Sequence, residues 1–177
     1  MKLAEINQTP QRLNLTEVFD SKRDLKWSEN GSKHRASFDL NGYNYTIHID
    51  EYDIKLVETH TLLDIGFSYD TPNNADDTQK MTNLYNNPSE ILGIVANGLY
   101  NKLQTINYDI ILFGAHPKNG GKDARVRVYD FLSKRYMKAE GMWRSRLSSA
   151  KYGEYFLLSV NKLSDSDKEI IDGYLNK

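Results

Sequence analysis

Tyr108-Asp-Ile-Ile-Leu-Phe113 is a short, almost wholly apolar run with a helical pattern on either side of it. It lacks the apolar/polar alternation of a half-exposed strand, so it reads as a central strand covered on both faces. On its N-terminal side, Asn87-Pro88-Ser89-Glu90 opens a helix. Asn is the N-cap, Pro takes the first position where its missing N–H costs nothing, and Glu follows three residues after the cap. Ile91, Leu92, Val95, Leu99 and Leu103 then share one face as far as about Gln104. On the C-terminal side a loop over 114–121, with Pro117 and Gly120-Gly121, leads into a second helix from the cap Asp123 to Lys138. Val128, Tyr129, Leu132 and Tyr136 mark its buried face. A strand between two helices, buried on both sides, requires a sheet with helical layers against it.

Working outward, Ala36, Phe38 and Leu40 alternate with polar residues, Asn41-Gly42 follows, and Tyr43, Tyr45, Ile47 and Ile49 alternate again. Asn-Gly between two period-two runs is the signature of a type I′ hairpin, here 34–41 and 43–50. Further strands are expected at 53–58 and 61–69, which completes an antiparallel meander. Beyond the second helix, 142–147 and 152–160 read as two more strands. Ser164 caps a last helix over 164–175, with Ile170, Ile171 and Tyr174 turned inward. Residues 1–33 form an N-terminal extension or edge element, with an apolar cluster at Leu13, Leu15, Val18 and Phe19 and a loop through Ser28 to Ser32. The expectation is one domain over 1–177, with its core at 34–160. Its class is α/β (α+β): a mixed, mostly antiparallel sheet flanked by helices.

A chain of 177 residues with 39% hydrophobic and 27% charged residues can bury a core and is not a disordered polymer. Its lack of cysteine removes disulfides, thiolate nucleophiles and cysteine-ligated metal centres at once. There is no run of about 20 apolar residues, and the first residues lack the apolar stretch of a secretory signal, so neither membrane nor export is expected. The net charge of −1 hides a division. Residues 39–90 hold ten acidic residues against Lys55 and Lys80, and residues 118–151 hold ten basic residues against Asp123, Asp130 and Glu140. The basic half would suit a phosphate, a nucleic acid or an acidic protein surface, unless the two halves pack and neutralise each other.

Most catalytic chemistries find no support in the motifs. His34, His48, His60 and His116 show no helical metal spacing, so no metal is expected, and no Gly-x-Ser-x-Gly elbow supports a hydrolase triad. His48 lies in the polar phase of its strand. The acidic run 70–77 contains Pro72 and no glycine, unlike a calcium loop. Gly114–Gly121 lacks the spacing of a nucleotide-binding P-loop. The most distinctive segment is the helix 124–136, where Arg125, Arg127, Lys134 and Arg135 surround an apolar stripe. With Arg144 they form the candidate contact surface.

The succession of meander, helix, apolar strand, helix and two strands resembles the GNAT acetyltransferase superfamily. Asn119, Ala124, Val128 and Tyr129 are similar to its Asn, Ala and Leu-Tyr pattern. The resemblance implies that Tyr129 stands where a tyrosine protonates the departing thiolate of coenzyme A. It also implies that the N-terminus of the 88–104 helix, with Asn87, Ser89 and Glu90, would hold the phosphates of acetyl-coenzyme A. The superfamily places a glycine-containing pyrophosphate loop before that helix, and residues 76–87 contain no glycine. The cofactor loop is therefore degenerate, and the resemblance implies a scaffold that binds without catalysis and without cofactor.

A second resemblance covers about residues 34–140. The apolar strand followed by Arg125-Val-Arg-Val-Tyr-Asp-Phe-Leu132 is similar to small uncharacterised bacteriophage proteins with an Arg-x-x-Leu-Tyr-x-x-Leu pattern. It implies a phage accessory or virion-associated protein, placed in the host cytoplasm or the virion, that contacts a protein partner or itself. The alternatives are an acyl-coenzyme A dependent N-acyltransferase using Tyr129 and a nucleic-acid-binding protein using the basic segment 118–151.

Overall fold

The computed structural model describes residues 23–40, 42–70, 88–115, 124–149 and 153–175. The apolar run becomes strand β5 (Ile110–Ala115) and is an interior strand, as its composition requires. Before it come β1 (Trp27–Asn30), β2 (Lys33–Leu40), β3 (Tyr43–Lys55), β4 (Thr59–Asp70) and helix α1 (Pro88–Leu103). After it come α2 (Ala124–Glu140), β6 (Trp143–Ser149), β7 (Gly153–Ser159) and α3 (Asp165–Leu175). The seven strands form one sheet in the order β1-β2-β3-β4-β5-β7-β6. Every pairing is antiparallel except β4–β5. The architecture is thus α+β, a mixed and mostly antiparallel sheet with three helices.

Alternation along β5 divides the core in two. Ile111 and Phe113 face one layer, in which Ile47, Ile49, Ile65 and Phe156 meet Ile94, Val95 and Leu99 of α1 and Leu132 and Tyr136 of α2. Ile110 and Leu112 face the other, with Ile54, Leu62, Leu157 and Ile171 of α3. Burying such side chains is the main stabilising contribution, about 1.5–3 kcal/mol for each large one. The parallel pair is fastened at its start by Asp109. Its carboxylate accepts from the Thr61 N–H at 2.9 Å, and its own N–H donates to the Thr61 carbonyl at 3.0 Å. The β2–β3 turn closes with Leu40 opposite Tyr43, and Gly42 takes φ +80°, the left-handed conformation that a type I′ turn needs. The Ser164 hydroxyl accepts from the Asp167 N–H at 3.1 Å while Asp167 accepts from the Ser164 N–H at 2.9 Å, a reciprocal cap on α3.

Three expectations change. The stretch expected as a loop through Ser28 to Ser32 contributes an edge strand, β1, whose polar residues pair with β2 from Trp27↔Ala36 to Asn30↔Lys33. The two strands expected at 43–50 and 53–58 are one, β3, paired with β4 without a break from Asn44↔Asp70 to Lys55↔Thr59. Of the α3 residues expected inward, Ile171 is buried against β3, β4, β5 and β7, whereas Ile170 and Tyr174 are exposed, because this short helix covers the sheet with a narrow stripe. The apolar cluster at 13–19, the cap Asp123 and the loops 71–87 and 116–121 lie outside the described residues.

Candidate functional site

The strand order separates the two charged halves. β3 and β4 carry the acidic segment, with β2 adding Lys33 and Arg35 against Asp39, and α2 and β6 carry the basic segment toward the β6 edge. No ion pair between described residues joins 39–70 to 124–149. The pairs close within each side: Arg35 to Asp50 at 2.6 Å, Lys134 to Asp130 at 2.6 Å, Arg144 to Asp130, and Arg146 to Glu154. The molecule is therefore polarised along its sheet.

At the basic end, Asp130 organises the junction of helix and strand. It takes Lys134 one turn along α2 and Arg144 from β6, and the Arg144 Nε–H also donates to the Ser133 hydroxyl at 2.9 Å. The Arg144 guanidinium lies 4.9 Å from the centre of the Phe156 ring, and that of Arg135 lies 5.0 Å from Phe131. Of the expected contact residues, Lys134 is exposed, Arg135 is half-buried on Phe131, and Arg144 is built into the α2–β6 junction. Arg125 and Arg127 lie in the first turns of α2, with side chains outside the described residues. Carboxylates on Lys134, Arg144 and Arg146 reduce the net positive field that a nucleic acid would meet. One exposed feature here escaped the sequence reading. Trp143 opens the edge strand β6 with 53% of its surface exposed, and the Lys162 ammonium sits 5.7 Å from its ring. Only strand order, which sequence does not state, identifies β6 as an edge.

Tyr129 lies between the layers. β4 and β5 remain paired from Leu62↔Ile110 to Ile65↔Phe113, and beyond that point each continues without the other. The Tyr129 ring packs on Phe67 and Phe113, and its hydroxyl accepts from the Phe67 N–H at 3.4 Å. It is a nearly buried side chain placed where the two strands part. Of the expected phosphate-holding residues, Asn87 and the side chain of Ser89 lie outside the described residues, and Glu90 is half-buried in the first turn of α1.

Two polar clusters were also invisible in the sequence. On the face of β2–β4 opposite α1, Asp50 stands directly across from Asp64, Arg35 binds Asp50, and His48 bonds the Ser68 hydroxyl at 2.7 Å. Burial, reinforced by the Asp50 charge, pushes the Asp64 carboxyl up to about 6. On the other face, buried His34 bonds Glu51, and Lys102 of α1 bonds Glu29, whose carboxyl is held below its usual range by that lysine. Among the described residues, no three His, Asp or Glu side chains gather as metal ligands. No helix among them is long and apolar enough to cross a membrane.

Neither the family models, nor the curated proteins, nor the solved structures compared with this chain match it.

Proposed function

We propose that this chain is a GNAT-like domain that works by binding protein, a phage-type accessory or virion-associated component rather than an enzyme. Its contact surface is the α2–β6 end of the sheet. The observation that carries this reading is the edge strand β6, where Arg146 is more than half exposed on the face that bears α2 and Trp143 is more than half exposed on the opposite face. Exposed tryptophan and arginine together are what protein interfaces use as anchors. The order of elements, a meander, a helix, an apolar strand, a helix and two strands, supports the GNAT-like part of the reading. The test is affinity capture from host extract by the wild type and by Lys134→Glu/Arg135→Glu. The charge-reversed pair is expected to lose the partner while its melting temperature stays within a few degrees of wild type. Retained capture by a folded variant overturns the assignment of this surface.

A second reading, an acyl-coenzyme A dependent N-acyltransferase, is favoured by the position of the Tyr129 hydroxyl where β4 and β5 part. It predicts that acetyl-coenzyme A raises the melting temperature, since a ligand bound only to the native state adds about 2.7 kcal/mol at a hundred times its Kd. It also predicts that Tyr129→Phe slows transfer in a folded protein. An unchanged melting temperature at saturating cofactor removes this reading.

A further inference from the structure

The open sheet has two ends with unlike surfaces. At the β1 end, a pocket of about 490 Å³ lies between β1 and α1, lined by Asp24, Leu25, Trp27, Glu29, Asn101 and Lys102 among others. Leu25 and Trp27 are partly buried and give it an apolar floor. Asp24 and Glu29 are exposed and give it an acidic rim, while Lys102 is nearly buried beneath Glu29 and cancels only one of the two carboxylates. At the β6 end, Trp143 stands out with Lys162 against its ring. One end thus offers a flat aromatic group with an ammonium beside it, and the other a cavity with an apolar floor and acidic rim. With strands about 4.8 Å apart, six steps across the sheet put the two features roughly 30 Å from each other.

We propose that the protein self-associates head to tail, the Trp143–Lys162 projection of one copy seating in the β1–α1 pocket of the next. The inference rests on the interaction reading above, because it names a second copy as an occupant of the β6 end. Charge and shape favour that occupant. The Trp143 ring would cover Leu25 and Trp27, and the Lys162 ammonium would meet Asp24 and Glu29. A buried indole is a strong anchor, and desolvation at the pocket strengthens the charge pairs around it. The contact is heterologous, so each added copy leaves one projection and one pocket free, and assembly continues into a ring or a filament. A single anchor of this size gives a weak, reversible contact at each joint.

Sedimentation equilibrium of the full chain tests this. At about 50 mM salt the wild type is expected to gain mass beyond a dimer as its concentration rises, and at about 500 mM to approach the monomer, because screening removes the long-range attraction. Trp143→Ser and Asp24→Lys both alter exposed residues, and each is expected to weaken association at least about tenfold. A mixture of these two variants retains one working projection and one working pocket, and is expected to stop at a one-to-one dimer. Combining Lys162→Glu with Asp24→Lys in one chain restores the charge pair in reverse and is expected to recover assembly. A wild type that is monomeric at both salts, one that halts at a closed dimer, or a variant mixture that fails to pair overturns the inference. Lys134 and Arg135 lie outside this contact. A monomeric wild type that still loses its partner in Lys134→Glu/Arg135→Glu therefore overturns self-association and leaves the interaction reading standing.

Discussion

Asp50 of β3 and Asp64 of β4 are register partners, two carboxylates directly opposite each other on one face of the sheet. The Arg35 guanidinium binds Asp50 at 2.6 Å and is near enough to Asp64 to offset only part of its shift. Like charges opposite one another destabilise a sheet, and here it is the Asp64 carboxyl that shifts. The Asp64 carboxyl is raised from 3.8 to about 6, first by burial and then by Asp50.

This pair gives the first prediction. A carboxyl whose folded pKa is raised holds its proton longer in the native state, so its contribution is fully present below about pH 4 and is lost as pH rises through about 6. Asp64→Asn is expected to stabilise the fold at pH 8 by up to about 3 kcal/mol, at 1.36 kcal/mol for each pKa unit, and to change it little at pH 4. Urea unfolding at the two pH values measures this, and an equal effect at both would rule out the shifted carboxyl as the cause.

Tyr136 is fully buried, and its hydroxyl has no hydrogen-bond partner among the described residues. Burial holds its ionisation well above the usual phenol range, so it stays neutral. An unsatisfied buried hydroxyl costs about 1–3 kcal/mol. Tyr136→Phe, which keeps the ring between Tyr100 and Phe113, is expected to leave stability unchanged or raise it by about 1 kcal/mol. A loss of comparable size in chemical denaturation would reveal a partner for the hydroxyl.

Asp130 holds two cations of very different worth. Lys134 is exposed, so Lys134→Ala is expected to cost less than about 0.5 kcal/mol. Arg144 is largely covered and has Ser133 and the Phe156 ring as its other contacts. Asp130→Ala strands that guanidinium and is expected to cost about 1.5–3 kcal/mol, the range for a charge-assisted hydrogen bond. A double-mutant cycle with Arg144→Met separates this coupling from the loss of helix contacts.

Gly98 on α1 marks where the segment before β1 crosses the helix. A Cβ there would lie 2.4 Å from Leu25 Cδ1, too close for the side chain to stay in place. Gly98→Ala is expected to push the Leu25 side chain aside, which offsets part of the roughly 1 kcal/mol by which alanine favours a helix over glycine. In a Leu25→Ala background the clash is gone, and the same substitution is expected to stabilise by more. The larger gain in that background is the measurement that checks the crossing.

What was legible in the chain follows from how local its cause is. Asn41-Gly42 announced its hairpin because the turn depends on two adjacent backbone conformations. Pro88 and Ser164 announced their helices because the orphan N–H groups of a first turn are met by neighbours in sequence. β3 was misjudged for a physical reason. Its buried residues shift from Tyr45, Ile47 and Ile49 to Ile54, which imitates a break between two strands. The pairing with β4 does not break. What changes is the covered face, because Ile54 packs in the layer with Ile171 of α3. β1 was missed because Ser28, Glu29 and Asn30 carry no apolar pattern, and their strand exists only through pairing with β2.

The candidate sites were less legible than the fold. Tyr129 and the basic helix could be named from sequence, since residue type and helical spacing suffice for that. The opposition of Asp50 and Asp64, the hold of Asp130 on Arg144, and the exposure of Trp143 depend on which strands become neighbours.

The sequence by itself determined the helix succession, the β2–β3 turn, the start of α1 near Pro88, the cap of α3 and the interior character of β5. Each rests on backbone conformation or on side-chain periodicity within a few residues. Tertiary structure alone decided that β7 enters between β5 and β6, and hence that β6 is an edge and that the basic segment reaches that edge, away from the acidic β3 and β4. Strand order is chosen by burial of apolar faces across the whole molecule, a sum over distant residues that no local stretch of sequence contains.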